Sequence, residues 1–207
     1  ALEAQGLSVV DLGDVAPVIE AEPTSGLPVK NLADAIGWTA TLERAAHEAC
    51  GRGFPIFAGG DHSLAMGTVA GAARYAAEQQ RPFFLLWLAA HPDFHRLDTT
   101  ASGNIHGTPV AYVTGQPSFA PLFPPVVAPV VFENICMSGI RSVDPAEHTG
   151  LLDRGVALHD MRRIDETGVV RPLTDFLNRV AAAGGMLHVS LDVDFLDPSI
   201  APGVGTT

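Results

Sequence analysis

Residues 83–90 are eight apolar residues in a row, and this run constrains the fold more than any other feature. A strand with one wet face alternates polar and apolar side chains. A strand covered on both faces reads as a continuous apolar stretch. The run is far short of the roughly 18 residues or more that a membrane span needs, so it predicts a strand with packed layers above and below. Phe83, Phe84 and Trp87 are read as core residues of that strand.

Similar runs predict strands at residues 7–12, 54–57, 83–88, 135–140, 156–158 and 186–191. Longer amphipathic stretches predict helices at 32–49, 63–79, 145–153 and 172–183. Ser63 is placed to cap the second helix, and Gly51, Gly53, Gly184 and Gly185 are placed to stop the first and last. Strand–helix alternation implies an α/β fold, a mostly parallel sheet flanked by helices on both faces. No repeat or linker divides the chain, so residues 1–207 read as one domain. Two long connections, 89–108 and 115–131, stand out. Such loops are usually functional or disordered, and the second, rich in proline, is expected to be an ordered surface loop. The glycine-rich turn at 203–207 follows a strong strand without a crossover. The expectation is a fold that continues beyond this piece.

Composition narrows the function. Apolar residues at 47% and charged residues at 17% make a core-forming chain. The formal charge of −11 and the lack of a basic stripe argue against nucleic acid. Neither a membrane span nor a signal peptide is expected. Cys50 and Cys136 are too few for a disulfide framework or a thiolate zinc site. A cytoplasmic protein is the expectation.

Ligands of an open parallel sheet bind beyond the carboxyl ends of its strands. Three such ends here are densely polar: Gly59-Gly60-Asp61-His62-Ser63, Ala89-Ala90-His91-Pro92-Asp93-Phe94-His95 and Asp192-Val193-Asp194-Phe195-Leu196-Asp197-Pro198. His91 and Asp93 are two apart, as are Asp192 and Asp194, so in extended backbone each pair faces one side. Converging carboxylates repel unless protons or cations neutralise them. Imidazole mixed with carboxylate suits manganese, magnesium or zinc. Singly, each motif has a bland reading: Asp-x-Asp as a turn, His62 as a helix-start residue bonded to backbone. Together at three strand ends they point to a cation site. His159 and His188 are read as satisfied core or loop histidines. Ser102-Gly103-Asn104-Ile105-His106-Gly107 suits a polar substrate at the rim, or an ordinary turn-rich loop, and His106 titrates in the range useful for proton transfer.

The three polar strand ends, the loop at 102–107 and Gly139-Ile140-Arg141-Ser142-Val143-Asp144-Pro145-Ala146-Glu147 resemble the signatures of the ureohydrolases, and of their arginase branch in particular. The resemblance implies a parallel eight-stranded sheet, a trimer or hexamer, and hydrolysis of a guanidino group. For arginine the products are ornithine and urea, formed by a hydroxide bridging two manganese ions. It implies His62, Asp93 and Asp192 as ligands of one ion, and His91, Asp192 and Asp194 as ligands of the other. Asp93 would also orient the hydroxide. His106 would shuttle protons. Ser102, Asn104 and His95 would meet a substrate carboxylate, Asp144 and Glu147 an amino group, and Thr206 would line the pocket. By the same comparison the chain lacks the family's first strand and its last strands. Three positions depart from the family pattern: Ala89 stands where an aspartate bridges both ions, His95 where asparagine is usual, and Ser142 where aspartate is common. Other ureohydrolase substrates, such as agmatine, guanidino acids or formimidoylglutamate, and a catalytically silent assembly role are the alternatives.

Overall fold

A computed structural model describes residues 2–204. Its elements are α1 (Leu32–Cys50), α2 (Leu64–Glu78), β1 (Phe83–Leu88), α3 (Pro109–Val113), β2 (Ile135–Ile140), α4 (Pro145–Leu152), β3 (Ala157–Asp160), α5 (Met161–Thr167), α6 (Val170–Ala182) and β4 (Met186–Leu191). The four strands form one parallel sheet in the order β3-β2-β1-β4.

β1 explains its own composition. Leu85 and Trp87 enter a core shared with Leu32, Met66 and Val69 of α1 and α2. Phe84 and Leu86 enter a second core with Phe176 and Val180 of α6. Both faces are covered, so no position along the strand favours a polar residue. On the first face α1 lies close against α2, because a Cβ on Gly67 would meet Leu42 Cβ at 2.5 Å and one on Gly71 would meet the Glu43 carbonyl.

Two expected strands are not formed. Residues 7–12 and 54–57 belong to no ladder, and side chains stand exposed, Val10 by 75% and Phe54 by 88%. Strand propensity describes a residue that packs on a pleated neighbour. Among the described residues, no strand lies beside either segment. α5 was not anticipated. It is a short polar helix held at its start by the Asp160 side chain, which accepts from Arg163 N at 2.8 Å. Residues 115–131 run over the surface and are anchored by Phe119 and Phe123, which pack with Tyr112 inside the first core. Ser63 precedes α2 without capping it through its side chain.

Candidate metal and substrate site

The parallel order places the carboxyl ends of β1 and β4 side by side. Beyond β1 the chain passes Ala89 and Ala90, both buried, and delivers His91 and Asp93. Asp93 adopts φ +48°, a left-handed conformation that strains most residues and that aspartate bears better than most. Beyond β4, Asp192 and Asp194 open a short 3₁₀ turn, in which Asp194 N donates to Asp192 Oδ1 at 3.1 Å.

His62 arrives from the turn before α2, outside the sheet, and two sheet residues hold it. Ser190 Oγ lies 2.9 Å from His62 Nε2, and the Trp87 indole stacks on the imidazole at 4.0 Å between centroids. Ser190 and Trp87 are direct partners in the β1–β4 register. The Trp87 indole N–H also donates to the His91 carbonyl at 3.1 Å. His62 Nδ1 then faces Asp93 Oδ2 and Asp192 Oδ2, each at 3.0 Å. It is buried and aligned for a hydrogen bond with neither. One nitrogen cannot serve two carboxylates. Deprotonated, Nδ1 would turn a lone pair toward two anions, so this position calls for either a proton or a cation between the three groups. His91 Nδ1 sits 2.9 Å from Asp194 Oδ2, whose Oδ1 accepts from Ala90 N at 2.9 Å.

The electrostatics follow from this crowding. Burial works to discharge the His62 imidazole, but Asp192 and Asp93 together outweigh it and push its pKa up to about 9. Asp194 raises His91 against its own burial. Burial raises Asp93, while His62 holds Asp192 below its ordinary value. Without a cation, protons hold this cluster together. Divalent ions would replace them, since bound ligands must be deprotonated.

A second group lies beside the first. His95 Nε2 is 3.0 Å from Asp144 Oδ2 and 3.3 Å from Glu147 Oε2. Glu147 anchors the turn by accepting from Phe94 N at 2.8 Å and Asp144 N at 3.3 Å. Their donor atoms lie close enough together to hold a metal ion or an ammonium group. His106 Nδ1 lies 3.3 Å from Asp61 Oδ2, and that carboxylate raises the His106 pKa and is itself strongly lowered. Asn104 accepts from Lys30 Nζ at 3.2 Å, and Ser102 Oγ accepts from Asn104 N at 3.2 Å. Thr206 lies outside the described residues.

The structure thus brings His62, His91, Asp93, Asp192 and Asp194 together, with His95, Asp144 and Glu147 as a neighbouring group. Sequence reasoning missed the supporting parts played by Trp87, Ser190 and Asp61. Ser190 lies two residues before Asp192 and so on the same strand face, a signal that was available.

A parallel α/β sheet with imidazoles and carboxylates gathered at its carboxyl edge is the class of architecture that hydrolases of the ureohydrolase type use. Residues 1–207 match the family model described as the arginase family. The arginase of Brucella melitensis is 54% identical over 210 residues, covering 100% of this chain and 68% of the relative. The arginase of Agrobacterium fabrum is 56% identical over 206 residues, covering 98% and 63%. A crystal structure of arginase from Bacillus cereus superposes with a TM-score of 0.84 at 31% identity, covering 99% of this chain and 68% of that one. The chain belongs to the arginase family, a metal-dependent family of ureohydrolases, and spans about two thirds of these relatives.

Proposed function

We propose that the chain hydrolyses the guanidino group of L-arginine to ornithine and urea at a two-manganese site. The observation that carries this reading is His62 Nδ1 at 3.0 Å from both Asp93 and Asp192, with His91 and Asp194 paired at 2.9 Å beside it. His62, Asp93 and Asp192 would hold one ion, and His91, Asp192 and Asp194 the other. Bound divalent ions supply Lewis-acid activation of water. The protein's own groups do the rest. Asp93 orients the attacking water, His106 passes a proton to the departing amine, and Ser102, Asn104 and His95 take the substrate carboxylate. Asp144 and Glu147 take its ammonium. A cytoplasmic homo-oligomer, a trimer or hexamer, belongs to the same reading. No described helix is long and apolar enough to cross a membrane.

Ala89 is the weak point of the site. It is 1% exposed, stands two residues before His91, and carries no carboxylate to share between ions. Metal analysis of this protein should therefore find fewer than two manganese ions per chain, and Ala89→Asp should raise that number toward two. Urea release by the Ala89→Asp protein should favour arginine over agmatine by 10⁴-fold or more in kcat/KM, since sites built for polar partners reject analogues that leave those partners unpaired. Comparable values would point to another ureohydrolase substrate. Full metal loading without urea from either compound would favour the silent role.

A further inference from the structure

The sheet face opposite His62 carries a feature that the proposed function does not use. Between α6 and the pair β2–β3 lies a cavity of about 390 Å³, floored by Cys136, Ala157 and Phe176. Its walls carry Arg163, Arg171 and Arg179, against a single carboxylate, Asp175. Three guanidinium groups around one cavity run against a formal charge of −11. Arg179 is engaged: it donates to the Glu133 carbonyl at 2.7 Å and lies over the Phe176 ring at 5.9 Å. Arg171 approaches Asp175 at 3.9 Å. The Arg163 guanidinium has no partner among the described residues. On the same wall His159 Nδ1 is buried without a hydrogen bond, contrary to the expectation of a satisfied histidine. Burial, reinforced by Arg163, lowers the His159 pKa. A neutral imidazole can hold its proton on Nδ1 and donate it.

We propose that this cavity binds a small organic anion, with Arg163 and His159 gripping its carboxylate or phosphate and Phe176 and Ala157 covering its apolar body. An unpaired buried nitrogen is costly, and an acceptor placed between it and a free guanidinium satisfies both. The volume falls within the roughly 300–1,000 Å³ range of small-molecule sites, larger than a bare phosphate fills. Three guanidinium groups against one carboxylate reverse the polarity of the carboxylate-rich His62 site and disfavour a guanidinium compound. The proposal stands independently of the arginase reading.

Isothermal titration of the protein with phenyl phosphate, benzoate and inorganic phosphate tests it. At least one of the two aryl anions should bind with a stoichiometry of one, and the tighter of them identifies the head group. Inorganic phosphate should bind more weakly than phenyl phosphate. Arg163→Gln, a change at an exposed position, should weaken aryl-anion binding by roughly 10- to 100-fold, the range for a charge-assisted hydrogen bond. Arg162→Gln, which removes a guanidinium paired with Glu166 at 3.0 Å, should leave it unchanged. Failure of both aryl anions to bind, or equal binding by the Arg163→Gln and parent proteins, would overturn the proposal. Equal affinity for phenyl phosphate and inorganic phosphate would overturn its apolar half.

Discussion

His62 shows how much a single residue owes to its neighbours. It comes from a turn rather than a strand, and its ring is set by the Trp87 face and the Ser190 hydroxyl. Outer partners of metal-binding histidines commonly account for 10–100-fold in metal affinity. Ser190→Ala and Trp87→Leu should therefore each weaken manganese binding by roughly that factor. Isothermal titration with manganese reads the dissociation constants of both variants. Unchanged dissociation constants in both variants would show that His62 needs no such support. His106 plays a different part, paired with Asp61 and outside the ligand cluster. In the Ala89→Asp background, His106→Ala should lower turnover by roughly 10²–10⁴-fold, the usual share of general acid–base catalysis. Manganese content should stay constant, and a parallel loss of metal would make His106 a ligand. The candidate ligands were legible as a group because each ends a strand or follows a glycine turn. Their supports were not, because Trp87 and Ser190 meet only through the lateral pairing of β1 with β4.

At the scale of elements, close approach matters as much as propensity. α1 and α2 are legible from their apolar spacing, but their contact depends on the absence of side chains at Gly67 and Gly71. A Cβ at Gly71 would also meet Ala46 Cβ at 2.9 Å and His47 N at 2.9 Å, backbone and short side chain that cannot swing aside. Gly71→Val should destabilise the fold by about 1–3 kcal/mol or more, as overpacking does. A urea unfolding midpoint equal to that of the parent would show that the helix pair separates without cost. The same logic explains residues 54–57. Their apolar composition predicted a strand that is not formed, because a strand exists only where a neighbour accepts its backbone hydrogen bonds. α5 inverts the case, since only Met161 and Ile164 mark a partly buried side in its polar sequence and its start is set by one Asp160 hydrogen bond.

The whole molecule records its packing in its pH dependence. His188 sits within β4 against the Phe83 ring, and burial pushes its imidazole down to about 4. In the unfolded chain it titrates near 6.5. Between those values the unfolded state holds a proton that the folded state does not. Stability is thus full above about 6.5 and is lost as the pH falls toward 4. His62 acts oppositely: its raised value adds stability that disappears as the pH rises through about 9. Urea unfolding across the acid range should show a flatter pH slope for His188→Leu than for the parent. An unchanged slope would assign the acid sensitivity to other groups.

The sequence by itself determined the α/β class, the burial of β1 on both faces and the residue types gathered at the strand ends. Those properties are local, written in apolar runs, glycine turns and the two-residue period of a strand. Tertiary structure decided which strands exist, since residues 54–57 and 135–140 are both apolar but only the second lies beside a partner. It also decided that His62, 128 residues from Ser190 along the chain, shares one seat with it. It set Arg163 and His159 around a cavity that no local pattern announces. Such contacts arise from the order in which strands pair, and strand order depends on the burial of the whole sheet rather than on any one segment.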